Sequence, residues 1–155
     1  MGDKVLAVYE DQRGMVVRVE YRSILEALRL LRDDVEMPFN MLADEMGVDW
    51  LTWSERAGLQ EQPGRFSVYY NLYSLKARQR IFVEIFINEG EKPPSAVSLF
   101  GSANWAERII YDLFGVEFED HPDLRRIYMA QDYEYFPLRK DFPRVGADPQ
   151  DYPQE

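Results

Sequence analysis

Four groups of residues in this chain are of types that do chemistry. The single histidine, His121, has Glu119 and Asp120 before it and Pro122 and Asp123 after it, which raises metal binding as a reading. A metal site needs three or four convergent ligands, usually with a second histidine or a cysteine, and the sequence has neither. A histidine that anchors a loop by hydrogen bonds is the simpler reading, with a metal-dependent enzyme built on His121 as the alternative. Glu107 and Asp112 are the second group, since paired carboxylates carry out general acid–base work. On one helix they point in different directions; capping by Glu107 and an ion pair between Asp112 and Arg108 account for both. Arg125-Arg126 and Arg139-Lys140 are the remaining groups. They reverse the sign locally in a chain of net charge −10. Guanidinium forks suit carboxylates on a partner, with Leu124, Ile127, Tyr128 and Leu138 as apolar anchors. A solvated loop with scattered cations is the alternative.

Composition narrows the field. A chain of 155 residues fits one domain with one core. A hydrophobic fraction of 46% and an aromatic fraction of 14% mark a folded globule. Nucleic acid is excluded as a partner, because its phosphates demand clustered positive charge. The absence of cysteine excludes disulfides, thiolate nucleophiles and Cys-ligated iron–sulfur clusters. No apolar run approaches the roughly 20 residues that span a bilayer, and no secretory leader is evident at the start. No GxGxxG, GxxxxGK[ST] or GxSxG pattern occurs, so nucleotide cradles and nucleophile elbows have no support.

The elements that must position these groups read as follows. Val5–Glu10 and Met15–Glu20 alternate as a hairpin around a turn at Asp11–Gly14, where Gly14 takes a positive φ. Ser23 and Glu26 form a capping box for a helix with Ile24, Leu25, Leu28 and Leu31 on its buried face, ended by Asp33-Asp34 and Pro38. MLADEM from Met41 reads as a helical turn and Val48–Trp53 as extended. Phe66–Tyr73 and Ile81–Ile87 are apolar on both faces, the pattern of central strands covered on two sides. Ser95 caps a short helix through Phe100. Asn104 and Glu107 form a second capping box. The stripe Ala106, Ile109, Ile110, Leu113 and Phe114 faces the core, and Gly115 closes the helix. Prolines at 122, 137 and 143 keep the rest irregular.

The expectation is an α+β domain of two layers. Helices lie on a mixed, mostly antiparallel sheet of about five strands, followed by an extended basic docking loop. It spans residues 1–143, as a platform over 1–94 and a docking helix and loop over 95–143, with a polar tail at 144–155.

SANWAERIIYDLFGVEFEDHPDLRRI followed by PLRKDFP resembles the 30 kDa subunit family of respiratory complex I. The family pattern E-R-x-x-Y-D-x-F-G falls on Glu107, Arg108, Tyr111, Asp112, Phe114 and Gly115. H-P-D-L-R-R-I falls on His121 to Ile127, and P-L-R-K-D on Pro137 to Asp141. The chain departs at Ile109, where a second glutamate is usual. It departs again at Asp120, where glycine is common, and at Tyr135-Phe136 in place of Gly-His. An N-terminal helix and a long C-terminal extension of some relatives have no counterpart here.

The resemblance implies a cofactor-free scaffold subunit in the hydrophilic arm of proton-translocating NADH:quinone oxidoreductase. NADH, flavin mononucleotide, iron–sulfur clusters and quinone would be bound by other subunits. The partners it implies are the 49 kDa-type subunit near the quinone module and cluster-bearing neighbours, on the cytoplasmic side of the energy-converting membrane without a span. The equivalent subunit of an energy-converting hydrogenase, or of a ferredoxin- or F420-linked dehydrogenase, is the alternative. The docking residues are then Arg108, His121, Pro122, Asp123, Leu124, Arg125, Arg126, Leu138, Arg139, Lys140 and Asp141, with His121 to Arg126 and Leu138 to Asp141 expected at the surface. On that expectation, replacing Arg125 and Arg126 by Glu abolishes assembly and spares the fold.

Overall fold

The computed structural model describes residues 4–51, 62–143 and 146. Alternating side chains build the hairpin first. β1 (Val5–Asp11) and β2 (Gly14–Val19) pair antiparallel, and Gly14 at φ 127° closes the turn where a side chain would be strained. A 3-10 turn over Tyr21–Ser23 leads into α1 (Ile24–Arg32). The chain then reaches the far edge of the sheet as β3 (Met41–Asp49) and returns as β4 (Phe66–Ser74). It ends the sheet with β5 (Gln79–Ile87), inserted between β2 and β4. The order is β1-β2-β5-β4-β3, with β2 and β5 parallel and every other pair antiparallel. After a second 3-10 turn over Ala96–Ser98, α2 (Ala103–Phe114) closes the regular structure, and Gly115 at φ 75° ends it. The fold is α+β with a mixed sheet, as the sequence predicts. Among the described residues no helix is long and apolar enough to cross a membrane.

Both helices pack on one face of the sheet. Ile24, Ala27 and Leu28 of α1 and Ala103 and Ile110 of α2 share a core with Val68, Tyr70, Leu72, Val83, Ile85 and Ile87. Platform and docking helix are therefore united by one apolar core. The opposite face carries a smaller cluster of Val16, Tyr69 and Phe82. There the guanidinium of Arg13 lies 4.4 Å from the Tyr69 ring centroid and that of Arg18 lies 4.6 Å from Phe86. Buried Glu84 accepts from the Tyr9 hydroxyl at 2.8 Å and from Arg18 Nε at 2.8 Å. The second face of the central strands is thus covered by long side chains, not by a helical layer, among the described residues.

MLADEM is a strand, not a helical turn. Most of its residues favour a helix and its acids disfavour a strand, so pairing along β4 from Met41 to Asp49 overrides local preference. A bulge between Leu42 and Asp44 shifts the alternation by one residue. As a result Leu42, Glu45, Gly47 and Asp49 oppose Leu72, Tyr70, Val68 and Phe66 on the helical face. Val48 and Asp49 are extended as expected, but the strand ends there and Leu51 lies in a turn, whereas Thr52 and Trp53 lie outside the described residues.

Neither capping box forms. Ser23 Oγ donates to Glu20 at 3.2 Å and Glu26 binds Lys4, while α2 begins at Ala103, before Asn104. Preceding turns supply backbone carbonyls instead: Glu20 O accepts from Ser23 N, and Phe100 O from Ala103 N. At Ser95 the expected cap does form, its Oγ accepting from Val97 N at 3.3 Å.

α2 sits close on β3 because Gly47 has no side chain. A Cβ there would stand 3.0 Å from Phe114 Cδ2 and 3.2 Å from Ile110 Cγ2. Gly47→Val should therefore lift α2 and cost about 1–3 kcal/mol, the range for overpacking a tight contact. Urea unfolding measures it, and a wild-type midpoint would refute this account of the helix–sheet contact.

Candidate functional site

The sequence motifs converge on the last third of the described chain, an irregular strap from Val116 to Pro143 laid against α2 and the sheet edge. Apolar anchoring begins it. Val116 and Phe118 enter the main core, and Glu119 exchanges backbone hydrogen bonds with Pro93 and Ser95, both at 2.9 Å. Asp120 then adopts φ 59°, a left-handed conformation that aspartate tolerates better than most residues. This is the position at which glycine is common in the family pattern, and the backbone explains why.

His121 follows with its side chain fully buried. Its Nδ1 accepts from Asp123 N at 3.0 Å, so it carries no proton, and Nε2 donates to the carbonyl of Asn104 at 3.2 Å. That pattern defines a neutral imidazole. Burial lowers its pKa, and the hydrogen bond to Asn104 only partly opposes the shift. Both ring nitrogens are engaged within the chain, as the loop-anchor reading expects. Among the described residues no group of three or more His, Asp or Glu side chains is placed to hold a metal ion.

The fully buried face of α2 differs from the expected stripe. Of the predicted set only Ile110 is fully buried, while Ala103, Glu107 and Asp112 are buried with it. Two carboxylates lie where apolar residues were expected, and each holds a loop. Glu107 accepts from Ser95 Oγ and from Ala96 N, both at 2.6 Å. It thereby ties α2 to the turn at Ala96–Ser98 and does not cap its own helix. Burial raises its pKa to about 7, against the lowering effect of those two bonds. Asp112 accepts from Arg126 Nη1 at 2.8 Å through one oxygen. Through the other it accepts from the backbone N–H groups of Ile127, Tyr128 and Met129 at 2.9, 2.6 and 3.0 Å. Burial alone would raise the Asp112 pKa; the Arg126 guanidinium and those three donors outweigh it, and the carboxyl lies below its ordinary range.

Asp112 therefore pairs with Arg126, not with Arg108. The Arg108 Nε donates to Arg125 O at 3.0 Å, and its Nη1 stands 4.0 Å from Asp123. Arg126 is a second correction. Expected at the surface, it is buried, with its guanidinium 4.9 Å from the Phe136 ring centroid and 5.9 Å from those of Tyr111 and Tyr133. Phe136, one of the departures from the family pattern, thus forms a wall of this pocket.

Arg139 is also turned inward. Its Nε donates to Phe114 O at 2.6 Å, satisfying an open carbonyl at the C-terminus of α2, and its Nη1 binds Glu89 at 2.6 Å. Asp49, buried at the end of β3, accepts from Lys140 N at 2.9 Å, and Arg65 links Asp49 to Asp141. The exposed remainder comprises Arg125, held by Asp123 at 2.5 and 2.7 Å, together with Pro122, Tyr128, Leu138, Lys140 and Asp141. Leu124 is half-buried against the core. The sequence could not reveal the anchoring role of Asp49, because an isolated acid at a strand end carries no such signal.

These features define a small mixed-sheet α+β domain whose signature charges close its own C-terminal strap. The family described as respiratory-chain NADH dehydrogenase, 30 Kd subunit, matches residues 17–148. The chain belongs to this family. A subunit of the NADH-quinone oxidoreductase of Acidithiobacillus ferrooxidans is 42% identical over 149 residues, covering 95% of this chain and 72% of that protein. Its namesake in Paramagnetospirillum magneticum is 42% identical over 131 residues, covering 83% of this chain and 60% of its own length. The chain thus spans between 60% and 72% of these two relatives. A solved structure of a trypsin-resistant fragment of Nqo5 aligns with a TM-score of 0.64 at 34% identity, covering 76% of this chain and 89% of that fragment.

The clamps generate two predictions. Arg126→Ala leaves Asp112 buried and short of a counter-charge, and should cost about 3–5 kcal/mol. Arg125→Ala, at the surface, should leave the unfolding midpoint at its wild-type value. Chemical unfolding of the two variants checks the contrast, and equal midpoints would refute the buried clamp. Replacing Arg125 and Arg126 together by Glu, expected from the sequence to spare the fold, should instead destabilise it, since a carboxylate at position 126 would face the buried Asp112 carboxylate. The second prediction concerns pH. Below 4.5 Glu107 is protonated in both states; between 4.5 and about 7 the unfolded chain ionises first, so the stability contributed by Glu107 falls as pH rises. Glu107→Gln removes this loss. The stability difference between variant and wild type should therefore move in favour of the variant from about pH 5 to about pH 8, and a constant difference would count against it.

Proposed function

We propose that this chain is a scaffold subunit of the hydrophilic arm of a proton-translocating NADH:quinone oxidoreductase. It carries no cofactor and docks onto the 49 kDa-type subunit near the quinone module. NADH, flavin mononucleotide, iron–sulfur clusters and quinone are held by neighbouring subunits. The subunit lies on the cytoplasmic side of the membrane without crossing it.

The observation that carries this reading is family membership across residues 17–148, together with relatives named as subunits of NADH-quinone oxidoreductase. The strap adds physical support. Its inward charges fix the loop, which leaves Tyr128, Leu138 and Arg125 presented on a held backbone, with Tyr128 66% and Leu138 49% exposed. Exposed aromatic and aliphatic anchors beside an arginine are the residue types that dominate protein interfaces. Pre-ordering the loop lowers the entropy lost on docking.

Affinity isolation of the tagged chain from its native membranes, followed by mass spectrometry, tests the proposal. The expected result is recovery of the 49 kDa-type subunit with flavin- and NADH-binding subunits in fixed proportion. Recovery with a nickel hydrogenase large subunit would replace the oxidoreductase by a hydrogenase-type complex. Recovery of the chain alone would overturn the scaffold role.

A further inference from the structure

A groove of about 300 Å³ runs between the edge strand β3 and the N-terminal half of α2. Its wall includes Ala43, Asp44, Glu45, Trp105, Ala106 and Ile109. Glu45 is the unusual member. It is only 6% exposed, yet among the described residues neither carboxylate oxygen has a hydrogen-bond partner. The other buried carboxylates nearby are well supplied: Glu107 holds two donors, Asp112 four and Asp49 several. The bulge at Leu42–Asp44 is what turns Glu45 inward. Tyr70, opposite Glu45 in the register, also has an unpartnered hydroxyl. A buried carboxylate with two unpartnered oxygens is costly unless a donor reaches it.

We propose that this groove receives an arginine side chain from a partner subunit, and that Glu45, whose oxygens are shielded from water in the free chain, turns its carboxylate into the groove to pair with the guanidinium. The inference rests on the scaffold reading and adds the chemistry by which one face of the chain recognises its neighbour. A planar fork with two parallel N–H groups matches a carboxylate whose two oxygens both lack a partner. Ala43, Ala106 and Ile109 offer apolar walls for the methylene stem. Trp105, 60% exposed and already carrying the Arg108 guanidinium 4.9 Å from its ring centroid, borders the groove with aromatic surface. Asp44 adds negative charge at the exposed margin, complementary to an incoming cation. Burial holds the Glu45 pKa well above its ordinary value, with Glu107 and Asp44 adding to the shift. In the free chain the carboxyl therefore holds its proton more tightly, and an arriving cation favours its ionised form.

The test uses the full chain added back to membranes of a strain that lacks this subunit. Glu45→Gln should leave the unfolding midpoint of the free chain unchanged or raised. Rebinding should weaken about 30-fold or more, as when one partner of a buried charge pair is truncated. Trp105→Ala, on an exposed side chain, should weaken rebinding while leaving folding intact. A photo-crosslinking residue in place of Ala43 should capture a partner peptide that contains arginine. If wild-type chain binds and Glu45→Gln binds equally well, or if the captured peptide lacks arginine, the groove proposal is overturned. If wild-type chain fails to rebind at all, the scaffold reading fails, and this inference falls with it.

Discussion

Burial of a carboxylate on α2 is the constraint on which the strap depends. Asp112 is excluded from water, so each of its oxygens must be supplied from within the chain. Four donors arrive from Arg126 and from the backbone of Ile127, Tyr128 and Met129. Three successive backbone N–H groups cannot point at one oxygen unless the loop is wound around it. The charge thus dictates the conformation of a segment that has no regular secondary structure. The same logic recurs one turn and a half earlier, where Glu107 gathers Ser95 and Ala96, and at Asp49, which holds the backbone of Lys140. Acidic residues do here what a hydrophobic core does elsewhere in the domain.

This division of labour explains what the sequence discloses. The central strands Phe66–Ser74 and Gln79–Ile87, the hairpin, and the existence of the two helices are legible from apolar periodicity, although on α2 that periodicity misses the buried carboxylates Glu107 and Asp112. β3 is not, since a bulge breaks its alternation and acids occupy three of its nine positions. The pairing partner, not the local pattern, sets its conformation. Capping signals mislead for a related reason. A serine or asparagine with glutamate three residues on describes a helix that starts from solvent, whereas both helices here are entered from a turn whose carbonyls already satisfy the first amides.

The charged motif is an anomaly in the sequence, as its composition says, but most of it is not a surface. Its residues are basic, cluster in sequence and lie in a proline-rich segment, all of which suits a docking loop. Spacing along one helix also suggests that Arg108 meets Asp112. What spacing cannot show is a partner fourteen residues away, delivered by a loop that folds back. Arg126 reaches Asp112 in that way, and Arg139 reaches the last carbonyl of α2. The family resemblance places the residues in a recognisable pattern, and the geometry separates those that build the strap from those it displays. His121, Asp112, Arg126 and Arg139 build it; Arg125, Tyr128 and Leu138 are displayed.

The edge of the sheet obeys the opposite rule. Gly47 lets α2 settle on β3, the bulge before it rotates Glu45 inward, and no donor follows among the described residues. Were Glu45 there only for packing, an uncharged residue of similar size would serve without the cost of desolvation. In a domain whose other buried acids beside α2 are supplied with donors, the one left open lies on a groove that reaches the surface at Trp105. Among the described residues the buried acids of the strap are supplied with donors, and the groove carboxylate is not. If docking has a chemical address on this molecule beyond the displayed strap residues, the incomplete carboxylate is where the energetics locate it.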